Sequence, residues 1–357
     1  MSTLKQLGAN CNLKIGVATT KSALLYADPV FEPFVVRNCS LLCDASGLLW
    51  SVCHPEEDTY NFEAADWMLS FAKKNGILLR GHTLCWNGGN PEWLTKIITP
   101  KNAEDLLVSH IKTVAGRYAG KLDSWNVVNE PITVWQGQPN GLSSGPWLKA
   151  LGPEYIDLAF KTAAEVDPTA VRMINFHECE QAAETTTRAA SLALIESLLK
   201  RGVPLQCVGL ESHIDIGVEI DYTAMAQFIR DIKSLGLGVE ITEFDVNDAK
   251  QNGSYAVRDA AVADCYKIYL NFILGRGIVE RITLWSPTDI GNWMDIVCKE
   301  GDPEFIRDDG SCDHRPGLLN TNWELSPAYS SISEALEAHA LVAAVTPHGN
   351  FFTNGRN

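Results

Sequence analysis

The sequence predicts a single (β/α)8 TIM barrel of the α/β class, on three observations. Eight strand-like runs alternate with helical periodicity along the 357 residues. Several runs are apolar almost throughout, as expected of a parallel sheet covered on both faces. No Pro/Gly/Ser-rich linker, internal repeat or low-complexity segment divides the chain, which favours one domain over two doubly wound ones. The expected domain spans residues 1–345, and "TPHGNFFTNGRN" (346–357) is read as an irregular tail.

The elements follow in order. "LKIGVAT" (13–19) and "FVVRNCSLL" (34–42) are the first two strands. Asn61 then caps a helix whose apolar face is Ala64, Trp67, Met68, Phe71 and Ala72, stopped at Gly76. "ILLRGHTLCW" (77–86) is the third strand. Thr99 and Pro100 open the next helix as cap and first residue, with Leu107, Ile111 and Val114 inward. The remaining strands are "LDSWNVVNE" (122–130), "AVRMINFHE" (170–178), "QCVGLESHI" (206–214), "LGVEITEFDV" (237–246) and "RITLWSPT" (281–288). Helical periodicity fills 153–166, 185–201, 222–235, 258–276 and 326–344.

A formal net charge of −15 argues against a nucleic-acid partner, since phosphate binding relies on clustered Lys and Arg. No apolar run approaches a membrane span, so no membrane partner is expected. The start, "MSTLKQLGANCNLKIG", carries no hydrophobic signal core. The expected location is secreted or periplasmic if an export signal has been removed, and cytoplasmic otherwise. Ten cysteines are too few for a disulfide scaffold at this length. Cys298 and Cys312 share one loop and could pair. With no CxxC and no HExxH, neither a metal nor a cofactor is expected. "GLSSG" (141–145) matches the nucleophile-elbow pattern but follows "QGQPN" rather than a strand, so it reads as a loop over the cleft.

A barrel carries its active site where strands finish. Those ends supply His82 and Trp86, Asn129 and Glu130, Asn175, His177 and Glu178, Glu211 and His213, Glu243 and Asp245, and Trp285. Glu130 and Glu243 stand out because each ends a strongly apolar run, where a carboxylate persists only if paired, hydrogen-bonded or protonated. Two carboxyls across one cleft suit acetal hydrolysis, one protonating the leaving oxygen and the other acting at the anomeric carbon. The plainer alternative is that each pairs with a Lys or Arg at the rim.

"WNVVNEP" and "VEITEFDV" resemble the acid/base and nucleophile motifs of glycoside hydrolase family 10, the retaining xylanases. "RGHTLCW", "GLESHI", "LWSPTDIGNW" and "SPAY" are similar to further motifs of that family, in order along the whole chain. The resemblance implies a β-1,4-linked polysaccharide or oligosaccharide partner, Glu130 as acid/base and Glu243 as nucleophile. It implies Asn129 on the 2-hydroxyl of the sugar being cleaved, and His213 orienting Glu243. His82, Asn175, His177 and Glu211 would bind substrate, with Trp86, Trp285 and Trp293 as apolar walls.

The pattern breaks around the second strand, where Ala45, Ser46 and Leu49 occupy the usual Glu, Asn and Lys positions. Asn87 and Gly89 stand for His and Gln, Glu211 for Gln, and Phe176, His177 and Glu178 for Asp, Tyr and Asn. The reacting pair is kept while hydroxyl-binding groups are lost, so a branched or substituted glycan, such as a bacterial exopolysaccharide, is an alternative substrate. A carbohydrate-binding protein without activity is the alternative of another class. The long loop after the eighth strand is read as a lid or a product-side wall.

Overall fold

The computed structural model describes residues 2–27, 29–275 and 279–343. Eight parallel strands close into a barrel: β1 (Lys14–Thr19), β2 (Leu41–Asp44), β3 (Leu78–Trp86), β4 (Ser124–Asn129), β5 (Val171–Phe176), β6 (Cys207–Leu210), β7 (Gly238–Asn247) and β8 (Arg281–Leu284). Each pairs with the next, and β8 returns to β1 with Lys14 opposite Arg281. The TIM-barrel expectation therefore holds. The expected boundary at 345 and the tail beyond it lie outside the described residues.

The second strand is a correction. Residues 34–42 are not one strand: a helix spans Phe31–Asn38, and β2 begins only at Leu41. Phe31, Phe34, Val35 and Asn38 are all buried, a spacing of three and four that lays one face on the barrel. The adjacent β-branched pair Val35–Val36 concealed that period. Asn38 also bonds back to the Phe34 carbonyl through Nδ2 at 3.0 Å, as a helical side chain can.

The sixth strand is shorter than expected as well. It stops at Leu210, Ser212 turns in the left-handed region at φ 62°, and His213–Asp215 pairs separately with the end of β7. That break sets His213 opposite Asp245. The helix capped at Thr99 instead starts at Ala103 after Asn102, whose Oδ1 accepts from the Thr99 amide at 2.7 Å. Gly76 ends its helix as expected, in the left-handed conformation.

Trp125 is fully buried, and its indole donates to Asp167 Oδ2 at 3.2 Å, which fixes it as core. Trp67 is half-buried and stacks on Phe71. Gly209 on β6 is required by the site itself. A Cβ there would stand 2.2 Å from Asn175 Oδ1 and 2.7 Å from the Thr242 methyl. Cys298 and Cys312 form a disulfide with Cα atoms 5.6 Å apart, closing the loop after β8.

Candidate active site

The C-terminal ends of the strands surround a cleft of about 630 Å³, lined among others by His82, Glu130, Glu211, His213 and Glu243. Glu130 follows the last residue of β4 with φ 47°, in the left-handed region. Its backbone N–H donates to the Asn175 carbonyl at 2.9 Å, so the turn is anchored to β5. Trp86 Nε1 donates to its Oε2 at 2.9 Å, and Asn129 Nδ2 to its Oε1 at 2.9 Å.

Asn175 joins the two halves. Its Nδ2 lies 2.9 Å from Asn129 Oδ1, 2.9 Å from Glu211 Oε1 and 2.8 Å from Glu243 Oε1. Thr242 Oγ1 donates to its Oδ1 at 2.6 Å, which fixes which end of the amide faces the carboxyls. An amide has two hydrogens, so Glu211 and Glu243 share one between them.

His213 brackets the same two carboxyls from the other end, with Nε2 3.7 Å from Oε2 of each. Its Nδ1 is 2.6 Å from Asp245 Oδ1. Asp245 is fully buried and accepts from Ser286 Oγ and Trp293 Nε1, both at 2.7 Å. Ring orientation and tautomer of His213 are thereby set from behind, and Nε2 is left facing the cleft.

The electrostatics separate the carboxyls. Burial pushes Glu130 above the ordinary carboxylate range, with the charge of Glu243 adding to the push against the pull of His177. Burial alone would raise Glu243 too, but hydrogen bonding to His213 and nearby positive charge hold it below the ordinary range. That charge comes from His82 when protonated, from the buried Arg80 guanidinium and from His213. Burial would drive the His213 imidazole down, yet Asp245, Glu243 and Glu211 hold it well above the usual value. His82, by contrast, is pushed by burial to about 4 and is neutral at pH 7, accepting at Nδ1 from Asn126 Nδ2 at 3.0 Å. Glu211, desolvated and beside Glu243 and Glu130, is raised well above the ordinary range.

The two carboxyls of one cleft are thus shifted in opposite directions, Glu130 toward keeping its proton and Glu243 toward losing it. The oxygens and nitrogen of Glu211, Glu243 and His213 lie within 4.8 Å of one another, close enough for a cation. As an imidazolium, however, His213 has no lone pair to give and faces the two carboxyls as a positive charge.

All the residues expected at the site converge on it. His82, Trp86, Asn129, Glu130, His177, Glu211, His213, Glu243, Trp285 and Trp293 line the cleft, and Asn175 lies directly beneath. Neither reacting glutamate has a Lys or Arg partner within ion-pair distance among the described residues. His177 turns part of its edge away from the cleft, with Nε2 2.9 Å from the Ile132 carbonyl. Asp245 was given no role from the sequence, although it lies two residues beyond Glu243 on one strand and so on the same face.

Glycosyl hydrolase family 10 matches residues 3–335 of the chain. The chain belongs to that family. This family 10 glycoside hydrolase is xylanase-like: it is 28% identical over 338 residues to an endo-1,4-beta-xylanase B of Thermotoga neapolitana, covering 94% of this chain and 91% of that one. It is 32% identical over 273 residues to a beta-1,4-xylanase of Dictyoglomus thermophilum, covering 74% and 75%. It spans only 42% of a longer Caldicellulosiruptor endo-1,4-beta-xylanase A, to which it is 32% identical over 309 residues. The crystal structure of native xylanase 10B from Thermotoga maritima superposes with a TM-score of 0.84 at 28% identity, covering 95% of this chain and 99% of that one. A Thermotoga petrophila xylanase 10B solved in complex with xylobiose gives the same score and identity. No helix among the described residues is long and apolar enough to cross a membrane.

Proposed function

We propose that this family 10 enzyme cleaves β-1,4-linked xylan-type chains by double displacement, with retention at the anomeric carbon. Glu130, protonated, gives its proton to the glycosidic oxygen while Glu243 attacks C1. The bond from C1 to the leaving oxygen breaks as the ester to Glu243 forms. Esterification removes the negative charge that helps keep Glu130 protonated, so Glu130 becomes the base. It then takes a proton from water, whose oxygen displaces Glu243 and restores both carboxyls. Asn129 and Asn175 hold the two acids in fixed relation through the transition, and His213 keeps Glu243 ionised and aimed.

What carries this reading is the placing of Glu130 and Glu243 in one cleft, linked through Asn129 and Asn175, with surroundings that raise the first and lower the second. The Cys298–Cys312 bridge supports an oxidising compartment and hence export.

A second reading concerns the substrate. Ala45 and Leu49 line the cleft where the family resemblance expects a Glu and a hydroxyl-binding Lys. An unadorned sugar leaves its hydroxyls unmatched against such a wall, whereas a substituted one fills it. The test is a panel of plain xylan, substituted xylans and bacterial exopolysaccharides, with product sizing and anomeric configuration followed by NMR beside Glu243→Ala. Release of the α-anomer first would exclude double displacement. Plain xylan cleaved as fast as every substituted polymer would remove the second reading.

A further inference from the structure

Of the ten tryptophans, Trp135 alone is exposed, with 70% of its surface open. Leaving so large a ring in water forgoes apolar burial of roughly 2 kcal/mol, so its fixed presentation calls for a reason. The ring is held. Its Nε1 donates to Glu178 Oε1 at 3.2 Å, and Glu178 lines the cleft. Glu178 itself sits in the left-handed region, at φ 53°, just past the end of β5.

The loop that carries the ring is clamped to the acid/base residue. Ile132 and Leu142 form an antiparallel bridge across its base. Thr133 Oγ1 lies 2.6 Å from Ser143 Oγ and 3.0 Å from His177 Nε2. Ser143 Oγ donates to the Glu130 carbonyl, and the Ser144 amide to Gln136 Oε1. Gly137, in the left-handed conformation, ends the 3-10 turn Val134–Gln136. An exposed indole on so tied a turn is preorganised rather than mobile.

The geometry points to Trp135 as a stacking platform for a pyranose ring of a neutral β-1,4-linked chain, with Glu178 as the positioning residue that fixes the indole. The loop belongs to Glu130, which faces the leaving oxygen, so the platform lies on the leaving-group side of the cut. A sugar face of C–H groups packs on an aromatic plane and loses little, because both surfaces are rigid. His177, on the β5 side, has its Nε2 committed to this loop. The side of the cleft assigned to the platform rests on the function proposed above; the stacking itself does not.

Binding separates the two. In the Glu243→Ala background, titration calorimetry with xylo-oligosaccharides of increasing length should show an affinity gain of about tenfold once the chain reaches Trp135. Adding Trp135→Ala should remove that gain. In the active enzyme, Trp135→Ala should raise KM for long chains about tenfold, with kcat changing far less. A short aryl glycoside, which ends before the platform, should suffer a smaller loss. Glu178→Ala should reproduce part of the effect, and Glu178→Gln, which keeps an acceptor for Nε1, should restore it. The same length dependence in parent and Trp135→Ala, or no binding by the parent, overturns the platform. A parent that binds in a length-dependent way but hydrolyses no member of the panel sinks the proposed function and leaves the platform standing.

Discussion

The two sides of the cleft hold their carboxyls in different ways. Glu130, half-buried, is met by neutral donors, Trp86 Nε1 and Asn129 Nδ2, and desolvation raises its hold on a proton. Glu243, 5% exposed, is met by an imidazolium that Asp245 holds from behind. The same side-chain type is thus shifted in opposite directions at the two ends of one hydrogen-bonded chain. Burial is common to both; what differs is whether a charge accompanies it.

Removing a carboxyl tests that contrast most strongly. Glu243→Ala should lower kcat by about 10⁴-fold or more while the circular dichroism spectrum and melting profile stay those of a folded barrel. Glu130→Ala should cost about 10²–10⁴-fold on polysaccharide but much less on an aryl glycoside whose leaving group needs no proton. Equal losses on both substrates would break the assignment of the proton to Glu130.

Asp245→Asn sharpens the other half. Without that carboxylate, burial pulls His213 toward the neutral form, and Glu243 loses part of the charge that holds its carboxyl down. The acid limb of kcat/KM should then move up by roughly one pH unit. An unmoved limb would show that His213 does not set the ionisation of Glu243.

Glu211→Gln is a gentler change, because an amide approximates the protonated carboxyl that burial favours there. Turnover near neutral pH should stay within about threefold of the parent, the span of one hydrogen bond. The sign for stability follows from the raised value of Glu211. The native state keeps this proton after the unfolded chain has lost it. Stability is therefore fully present below the ordinary glutamate range and falls as pH rises through the native value. Melting temperature against pH should fall less steeply on the alkaline side in the Gln variant. A variant that follows the parent's slope would mean that Glu211 is already ionised.

The smallest effect on chemistry is expected from Cys298→Ser. The bridge closes a separation of 14 residues, so its loss should cost about 3 kcal/mol of stability. It ties the loop after β8, which also presents Trp293 to Asp245, so any kinetic change should fall on the Glu243 side. Thermal unfolding with and without reductant measures it.

Much of this was legible in the chain. The apolar runs ending in Glu130 and Glu243 fixed the parallel strands and their working ends together, because only a barrel mouth makes such endings useful. Helix and strand were confused at 34–42, where Val35 and Val36 carry strand propensity on a helical period. The state of each carboxyl lies beyond any local reading. It depends on Asn175 and His213, brought from two other stretches of chain, and on Asp245 holding that imidazole from behind. By itself the sequence determined which groups reach the cleft, since alternation along a strand decides which side chains share a face. Only the tertiary structure decided which of them are charged, because desolvation and charge pairing act through space and take no account of order along the chain.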